Sequence, residues 1–139
     1  MKRNIAGCLA AAFLLSMLLA VKAIAGGPDQ GEPRVIEIIA DRDNTFKVPG
    51  QRKAIITLTP GEKIVLRITA HAGSEKGRDN SVHGFTIKKL RDLGWDFRLK
   101  EGTQDYALVA PSMPGEYVAE CTVKCGRGHD DMTMKVVIK

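Results

Sequence analysis

The sequence is dominated by short runs in which apolar and polar residues alternate, with turn residues between the runs. The clearest run covers residues 63–71, where Ile64, Leu66, Ile68 and Ala70 recur at every second position. A period of two places one face of an extended strand on a core and the other face in solvent. The chain shows no long stretch with the period of an amphipathic helix, so it is predicted to fold mainly through strands.

Seven or eight candidate strands follow one another at short spacing. They cover residues 34–40, 53–59, 63–71, 83–90, 95–99, 106–110, 116–121 and 132–139. Strands of this number and spacing predict an all-β fold, a sandwich of two sheets with Greek-key connections. Residues 87–93 also permit a short helix.

The first 25 residues have the pattern of a secretory signal peptide. Lys2 and Arg3 precede an apolar run over residues 5–21, and Ala23 and Ala25 supply the small residues of a cleavage site. We predict a signal peptide at residues 1–25 and one domain at residues 26–139, exported as a soluble form that begins at Gly26. The alternative is an uncleaved anchor that holds the domain on a membrane. Both interpretations predict a periplasmic or otherwise extracytoplasmic protein.

The charge balance does not favour a nucleic-acid binder. Three of the 21 basic residues lie in the leader, which leaves 18 against 16 acidic residues and a net charge of +2 in the domain. The domain has no run of Lys and Arg that would follow a phosphate backbone. We therefore predict no nucleic-acid partner.

Cys121 and Cys125 are the only cysteines of the predicted mature domain, and they lie just before the last strand. Two cysteines in an exported protein favour a disulfide when nothing else is known. Here, however, His129 and Met132 follow within the same loop, so that two thiols, an imidazole and a thioether fall within twelve residues.

This set of ligands is chemically soft and favours copper. Zinc also accepts Cys and His, but methionine is a poor zinc ligand, and calcium and magnesium require oxygen ligands. Gly126 and Gly128 allow the tight backbone that convergence of the side chains needs. His83, which follows a polar loop and opens a strand, is placed to add a further ligand.

The loop resembles the copper-binding loop of the dinuclear copper A (CuA) domain, found in cytochrome c oxidase subunit II and in nitrous oxide reductase. That family has an upstream His and then Cys-x3-Cys-x3-His-x2-Met, and each element is present here. The turn Pro114-Gly115-Glu116-Tyr117 also matches the family, and the resemblance extends over residues 55–138.

The resemblance implies a cupredoxin domain that holds two copper ions and passes single electrons to and from a redox protein partner. It implies that Cys121 and Cys125 bridge both ions, that His83 and His129 bind one ion each, and that Met132 and the carbonyl group of Val123 are weak ligands. The oxidase subunit has Glu where this chain has Val123, and it has a two-helix membrane hairpin where this chain has one short leader. The chain is therefore more similar to a free-standing copper A domain than to an oxidase subunit.

Three alternatives use the same residues. The first is a copper storage or delivery protein for an exported copper enzyme, in which copper exchanges rapidly. The second is a site with one copper ion, bound by His83, one cysteine, His129 and Met132. The third is a thiol–disulfide reductant of the thioredoxin fold, which requires βαβ units that the sequence does not show. No general base accompanies an open metal position, so we do not predict an enzyme.

Overall fold

The computed structural model describes residues 31–139, and the predicted signal peptide lies outside these residues. Nine strands and two short 3₁₀ helices make up the described part of the chain. In chain order the strands are β1 Arg34–Ala40, β2 Phe46–Lys47, β3 Ile55–Leu58, β4 Lys63–Ala70, β5 His83–Thr86, β6 Asp96–Leu99, β7 Gly102–Val109, β8 Gly115–Glu120 and β9 Thr133–Ile138. The 3₁₀ helices are Lys88–Leu93 and His129–Asp131.

The strands form two sheets. One has the order β2-β1-β4-β7 and the other the order β3-β9-β8-β5-β6. Both sheets are mixed, because β1 pairs in parallel with β4 and β3 pairs in parallel with β9, whereas the remaining neighbours are antiparallel. Neighbours that are distant in sequence mean that the chain crosses between the sheets, as expected for a sandwich.

The core lies between the two sheets and follows from the alternation seen in the sequence. In β4, Ile64, Leu66, Ile68 and Ala70 are all at most 1% exposed, and the residues between them are partly or fully exposed. The facing sheet contributes Phe85 among other buried side chains. Complete burial of a side chain such as Leu66 contributes roughly 1.5–3 kcal/mol, so this stripe fixes the register of β4.

The all-β prediction is confirmed, and each predicted run overlaps a strand, although β7 begins at Gly102, four residues before the run predicted at residues 106–110. The differences are local. Residues 46 and 47 form an additional strand, β2, whose two residues are too few to give a periodic pattern. The run predicted at residues 83–90 ends as a strand at Thr86 and continues as a 3₁₀ helix, which is the short helix that residues 87–93 permit.

None of the helices within residues 31–139 has the length and apolar character that crossing a bilayer requires.

Candidate metal centre

The candidate centre lies at one end of the sandwich, where two segments meet. The first is the start of β5, which carries His83. The second is the connection from β8 to β9, residues 121–132, which we call the metal loop. All six residues predicted as ligands belong to these two segments. The meeting of β5 with β8 at Thr86 and Glu120 brings the segments together.

The sulfur atoms of Cys121 and Cys125 form the centre of the site. They lie 3.7 Å apart, and both thiols are free. A disulfide requires a separation of about 2.05 Å, so the structure does not contain the disulfide considered from the sequence. Cys121 is 6% exposed and Cys125 is completely buried, which removes the sulfur pair from bulk water.

Each sulfur has an imidazole of its own. The Nδ1 atom of His83 lies 4.0 Å from the sulfur of Cys121, and the Nδ1 atom of His129 lies 3.7 Å from the sulfur of Cys125. His83 is completely buried, and its Nε2 atom lies 2.8 Å from the carbonyl oxygen of His71. His129, in the 3₁₀ turn of the metal loop, is partly exposed.

Met132 and Val123 complete the group. The sulfur of Met132 lies 3.9 Å from that of Cys125, and the carbonyl oxygen of Val123 accepts a hydrogen bond of 3.1 Å from the thiol of Cys121. Both side chains are at most 2% exposed. A backbone bond of 3.0 Å from the amide of Cys121 to the carbonyl oxygen of Met132 ties the two ends of the metal loop together.

A close approach of backbones holds the first cysteine. The amide of Gly84 donates a hydrogen bond of 3.3 Å to the sulfur of Cys121. A Cβ atom at position 84 would lie 2.5 Å from the hydroxyl oxygen and 2.8 Å from the backbone nitrogen of Thr122. Only glycine therefore fits between His83 and Phe85 without displacing the metal loop.

Burial controls the protonation of the site. It raises the pKa of the Cys125 thiol to about 12, and the neighbouring Cys121 adds to this shift. It lowers the pKa of His83, since the buried imidazolium loses its hydration. In the metal-free site at neutral pH, the imidazole of His83 is therefore neutral and the thiol of Cys125 is protonated. A metal bound by that thiol would displace its proton.

The donors fit a soft transition metal. The ligand atoms of His83, Cys121 and Cys125 all lie within 4.8 Å of one another. The sulfur separation of 3.7 Å is less than twice a metal–thiolate bond of about 2.3 Å, so a single ion can contact both sulfurs. Nitrogen and sulfur donors exclude calcium and magnesium on chemical grounds.

The sequence interpretation missed three contributors to the site. They are the carbonyl group of His71, the amide of Gly84, and Asn44, whose side chain lies behind the metal loop. The first two act through backbone atoms, which no residue type reveals. The third acts over 83 residues of sequence separation, for which a single sequence carries no signal.

Comparisons with known proteins find solved structures of similar shape but no matching family model or curated sequence. No family model matches the chain. No curated protein matches it either.

Among solved structures, a chain of a heme-copper terminal oxidase dimer superposes with a TM-score of 0.56 at 17% identity, covering 98% of this chain and 80% of that chain. The periplasmic domain of subunit II of cytochrome oxidase (CoxB) from Bradyrhizobium japonicum gives a TM-score of 0.54 at 12% identity, and the match covers 76% of this chain and 83% of that domain's chain. Auracyanin A, a blue copper protein from Chloroflexus aurantiacus, gives a TM-score of 0.53 at 17% identity, and the match covers 78% of this chain and 100% of auracyanin A. Two mixed sheets together with these similarities establish that the chain has the cupredoxin fold.

Proposed function

We propose that the protein is an extracytoplasmic electron carrier with a dinuclear copper centre of the copper A type. The ligands are the side chains of His83, Cys121, Cys125, His129 and Met132 and the carbonyl oxygen of Val123. Two copper ions held by two thiolates supply one-electron redox chemistry in which both metals share the charge. The carrier exchanges electrons with a redox protein and performs no catalysis of its own.

The paired arrangement of sulfurs and imidazoles supports this proposal over a site for one ion. Two buried sulfurs lie 3.7 Å apart, and each has a separate Nδ1 atom within 4.0 Å. The one-copper alternative, which uses one cysteine, would leave the other cysteine of a buried pair without a role. Cupredoxin folds of similar shape occur in a subunit II domain and in a blue copper protein, which is consistent with copper at this end of the sandwich.

The surrounding protein suits electron transfer because it restricts movement of the ligands. His83 begins a strand that pairs along its length with β6. The other five ligands lie in a loop whose ends are joined by the bond between Cys121 and Met132. Ligands that hold their positions in both oxidation states require little reorganisation, which favours rapid transfer. The partly exposed His129 lies 3.7 Å from the sulfur of Cys125 and provides a route from the sulfur pair to a partner at the surface.

Copper content and electron spin resonance test the proposal. The purified domain loaded with copper is expected to hold two ions per chain. Its oxidised form is expected to show hyperfine structure from one electron shared between two copper nuclei. One copper per chain with single-nucleus hyperfine structure would instead assign the blue site, and no bound copper would reject a copper centre.

A kinetic experiment separates the carrier from a storage or delivery protein that uses the same ligands. The carrier is expected to lose copper slowly when the reduced protein is mixed with a mild copper chelator, because four of the six ligands are buried to at least 98%. Complete loss within seconds would favour delivery. The parent protein at several chelator concentrations serves as its own control, since a rate independent of chelator measures release by the protein itself.

A further inference from the structure

Asn44 is a buried polar residue that the proposed ligand set does not include. It lies in the turn between β1 and β2, is 4% exposed, and has a positive φ of 57°. Its backbone amide closes the turn by donating a hydrogen bond of 3.0 Å to the carbonyl oxygen of Asp41. Asparagine tolerates the left-handed conformation better than most residues, but the turn alone does not require a buried side chain.

The side chain of Asn44 contacts the metal loop from behind. Its Nδ2 group donates a hydrogen bond of 2.7 Å to the carbonyl oxygen of Arg127, midway between Cys125 and His129. Gly128 lies on the same side, since a Cβ atom there would be 3.8 Å from the Cβ atom of Asn44.

Glycines leave the space that this contact needs. A Cβ atom at Gly73 would lie 2.5 Å from Oδ1 of Asn44 and 2.3 Å from the carbonyl oxygen of Cys125. At Gly126 it would lie 3.4 Å from Nδ2 of Asn44. Oδ1 itself is buried and has no hydrogen-bond partner among residues 31–139. A buried oxygen without a partner costs free energy, and the hydrogen bond from Nδ2 to the metal loop opposes that cost.

We propose that Asn44 is a positioning residue that fixes the part of the metal loop between Cys125 and His129. The side-chain amide of Asn44 donates to the carbonyl group of Arg127. It thereby sets the distance between the sulfur of Cys125 and the imidazole of His129. The effect on copper rests on the proposed function, whereas the effect on the metal loop does not. The two effects can therefore fail separately.

The test compares Asn44→Gly with Asn80→Gly. Glycine accepts a positive φ without strain, so Asn44→Gly removes the side chain and leaves the turn intact. Asn80 is a matched control: it has a φ of 60°, its amide donates to the carbonyl oxygen of Gly77 at 2.9 Å, and its side chain is exposed. Asn44→Asp is a second variant, which keeps the shape but places an acceptor against the carbonyl group of Arg127.

Amide hydrogen exchange in the metal-free protein gives a readout that needs no copper. The amides of His129 and Asp131 donate within the metal loop. They are expected to exchange about fivefold to tenfold faster in Asn44→Gly, the effect of losing roughly one hydrogen bond, and to be unchanged in Asn80→Gly. Amides of β4 are expected to keep their protection in both variants. Unchanged exchange in the metal loop of Asn44→Gly would overturn the proposal, and so would an equal acceleration in β4, which would mean a general loss of stability.

The copper-loaded protein gives the second readout. Both Asn44 variants are expected to release copper about tenfold faster than the parent and to have altered hyperfine splitting, whereas Asn80→Gly matches the parent. If exchange changes as expected but no variant or parent binds copper, Asn44 still positions the metal loop and the proposed function is wrong. If copper binds and all spectra coincide, Asn44 does not position the ligands.

Discussion

The Nε2 atom of His83 lies 2.8 Å from the carbonyl oxygen of His71. A carbonyl oxygen can only accept, so Nε2 carries the hydrogen and the lone pair of the neutral ring is on Nδ1. That atom is the one that faces the sulfur of Cys121 at 4.0 Å. The backbone at His71 therefore selects the tautomer of the buried His83 before any metal binds. Groups that hydrogen-bond to a metal-binding histidine often have this role.

Replacing either cysteine by serine tests the role of the sulfur pair. A serine hydroxyl stays protonated near neutral pH and is a hard ligand, so it cannot hold two soft ions. We expect Cys121→Ser and Cys125→Ser each to retain at most one copper ion and to lose the shared hyperfine structure. The measurement is metal analysis of the folded protein, with folding checked by circular dichroism. A copper content equal to that of the parent in Cys125→Ser would contradict the dinuclear centre.

Replacing any of the remaining ligands should cause less copper loss than replacing a cysteine. His83→Ala removes the imidazole whose Nδ1 atom lies 4.0 Å from the sulfur of Cys121, so it is expected to loosen one ion while the thiolate bridge remains. Met132→Leu preserves volume in a fully buried position and should cost less than about 1.5 kcal/mol of unfolding free energy. Loss of the weak thioether should raise the reduction potential without emptying the site.

Copper retention during dialysis against a chelator, together with voltammetry, measures this ranking. The expected order of copper loss is either cysteine variant first, then His83→Ala, then Met132→Leu. A Met132→Leu protein that loses copper as readily as Cys121→Ser would show that the thioether is a principal ligand.

A pH-dependent contribution to stability comes from the loop between β4 and β5. The carboxylate of Asp79 accepts hydrogen bonds from the guanidinium of Arg98 and from the hydroxyl and backbone amide of Ser81. These contacts hold the pKa of Asp79 well below its ordinary value of 3.8. The group is more acidic in the folded state. Its contribution is therefore complete above the ordinary pKa and is lost as the pH falls toward the folded-state value.

Asp79→Asn should accordingly destabilise the metal-free protein at pH 7 and have a smaller effect near pH 3. Urea unfolding at the two pH values gives the comparison. Asp92→Asn is the control, because the ion pairs found among residues 31–139 do not include Asp92. An Asp79→Asn effect that is the same at both pH values would mean that the carboxylate charge is not what stabilises the loop.

Much of the fold and the composition of the site follow from local patterns in the sequence. The period of two over residues 63–71 predicts both the strand β4 and its buried face, because one face of the strand must meet the core. The spacing from Cys121 to Met132 predicts a group of soft donors, since a loop of that length can fold back on itself. The structure places these donors together with His83, and their binding of copper stays a prediction.

What the sequence did not predict depends on contacts between distant segments. Nothing near Asn44 indicates that its amide reaches Arg127, because that contact exists only after both sheets have formed. The two-residue strand Phe46–Lys47 is likewise defined by its pairing with β1 and not by a pattern of its own. Residues 1–25 lie outside the described part of the chain, so the signal peptide stays a prediction.

The close approach at Gly84 yields a last prediction, on how the sheet supports the sulfur pair. Alanine at this position would press against the backbone of Thr122, because its Cβ atom would lie 2.8 Å from that nitrogen. The added methyl group should push β5 away from the metal loop and weaken the bond from the Gly84 amide to Cys121. Overpacking of this kind costs about 1–3 kcal/mol of unfolding free energy.

Gly61→Ala is the matched control. A Cβ atom there meets no atom of residues 31–139 within 4 Å, and the positive φ of 72° confines the cost to backbone strain, roughly 1–2 kcal/mol. The two variants should therefore lose similar amounts of stability by urea unfolding but differ at the cysteines. In the metal-free protein, Gly84→Ala should make Cys121 and Cys125 react faster with a thiol reagent than in the parent, and Gly61→Ala should leave their rates unchanged. Equal rates in all three proteins would mean that the separation of β5 and the metal loop does not control access to the sulfur pair.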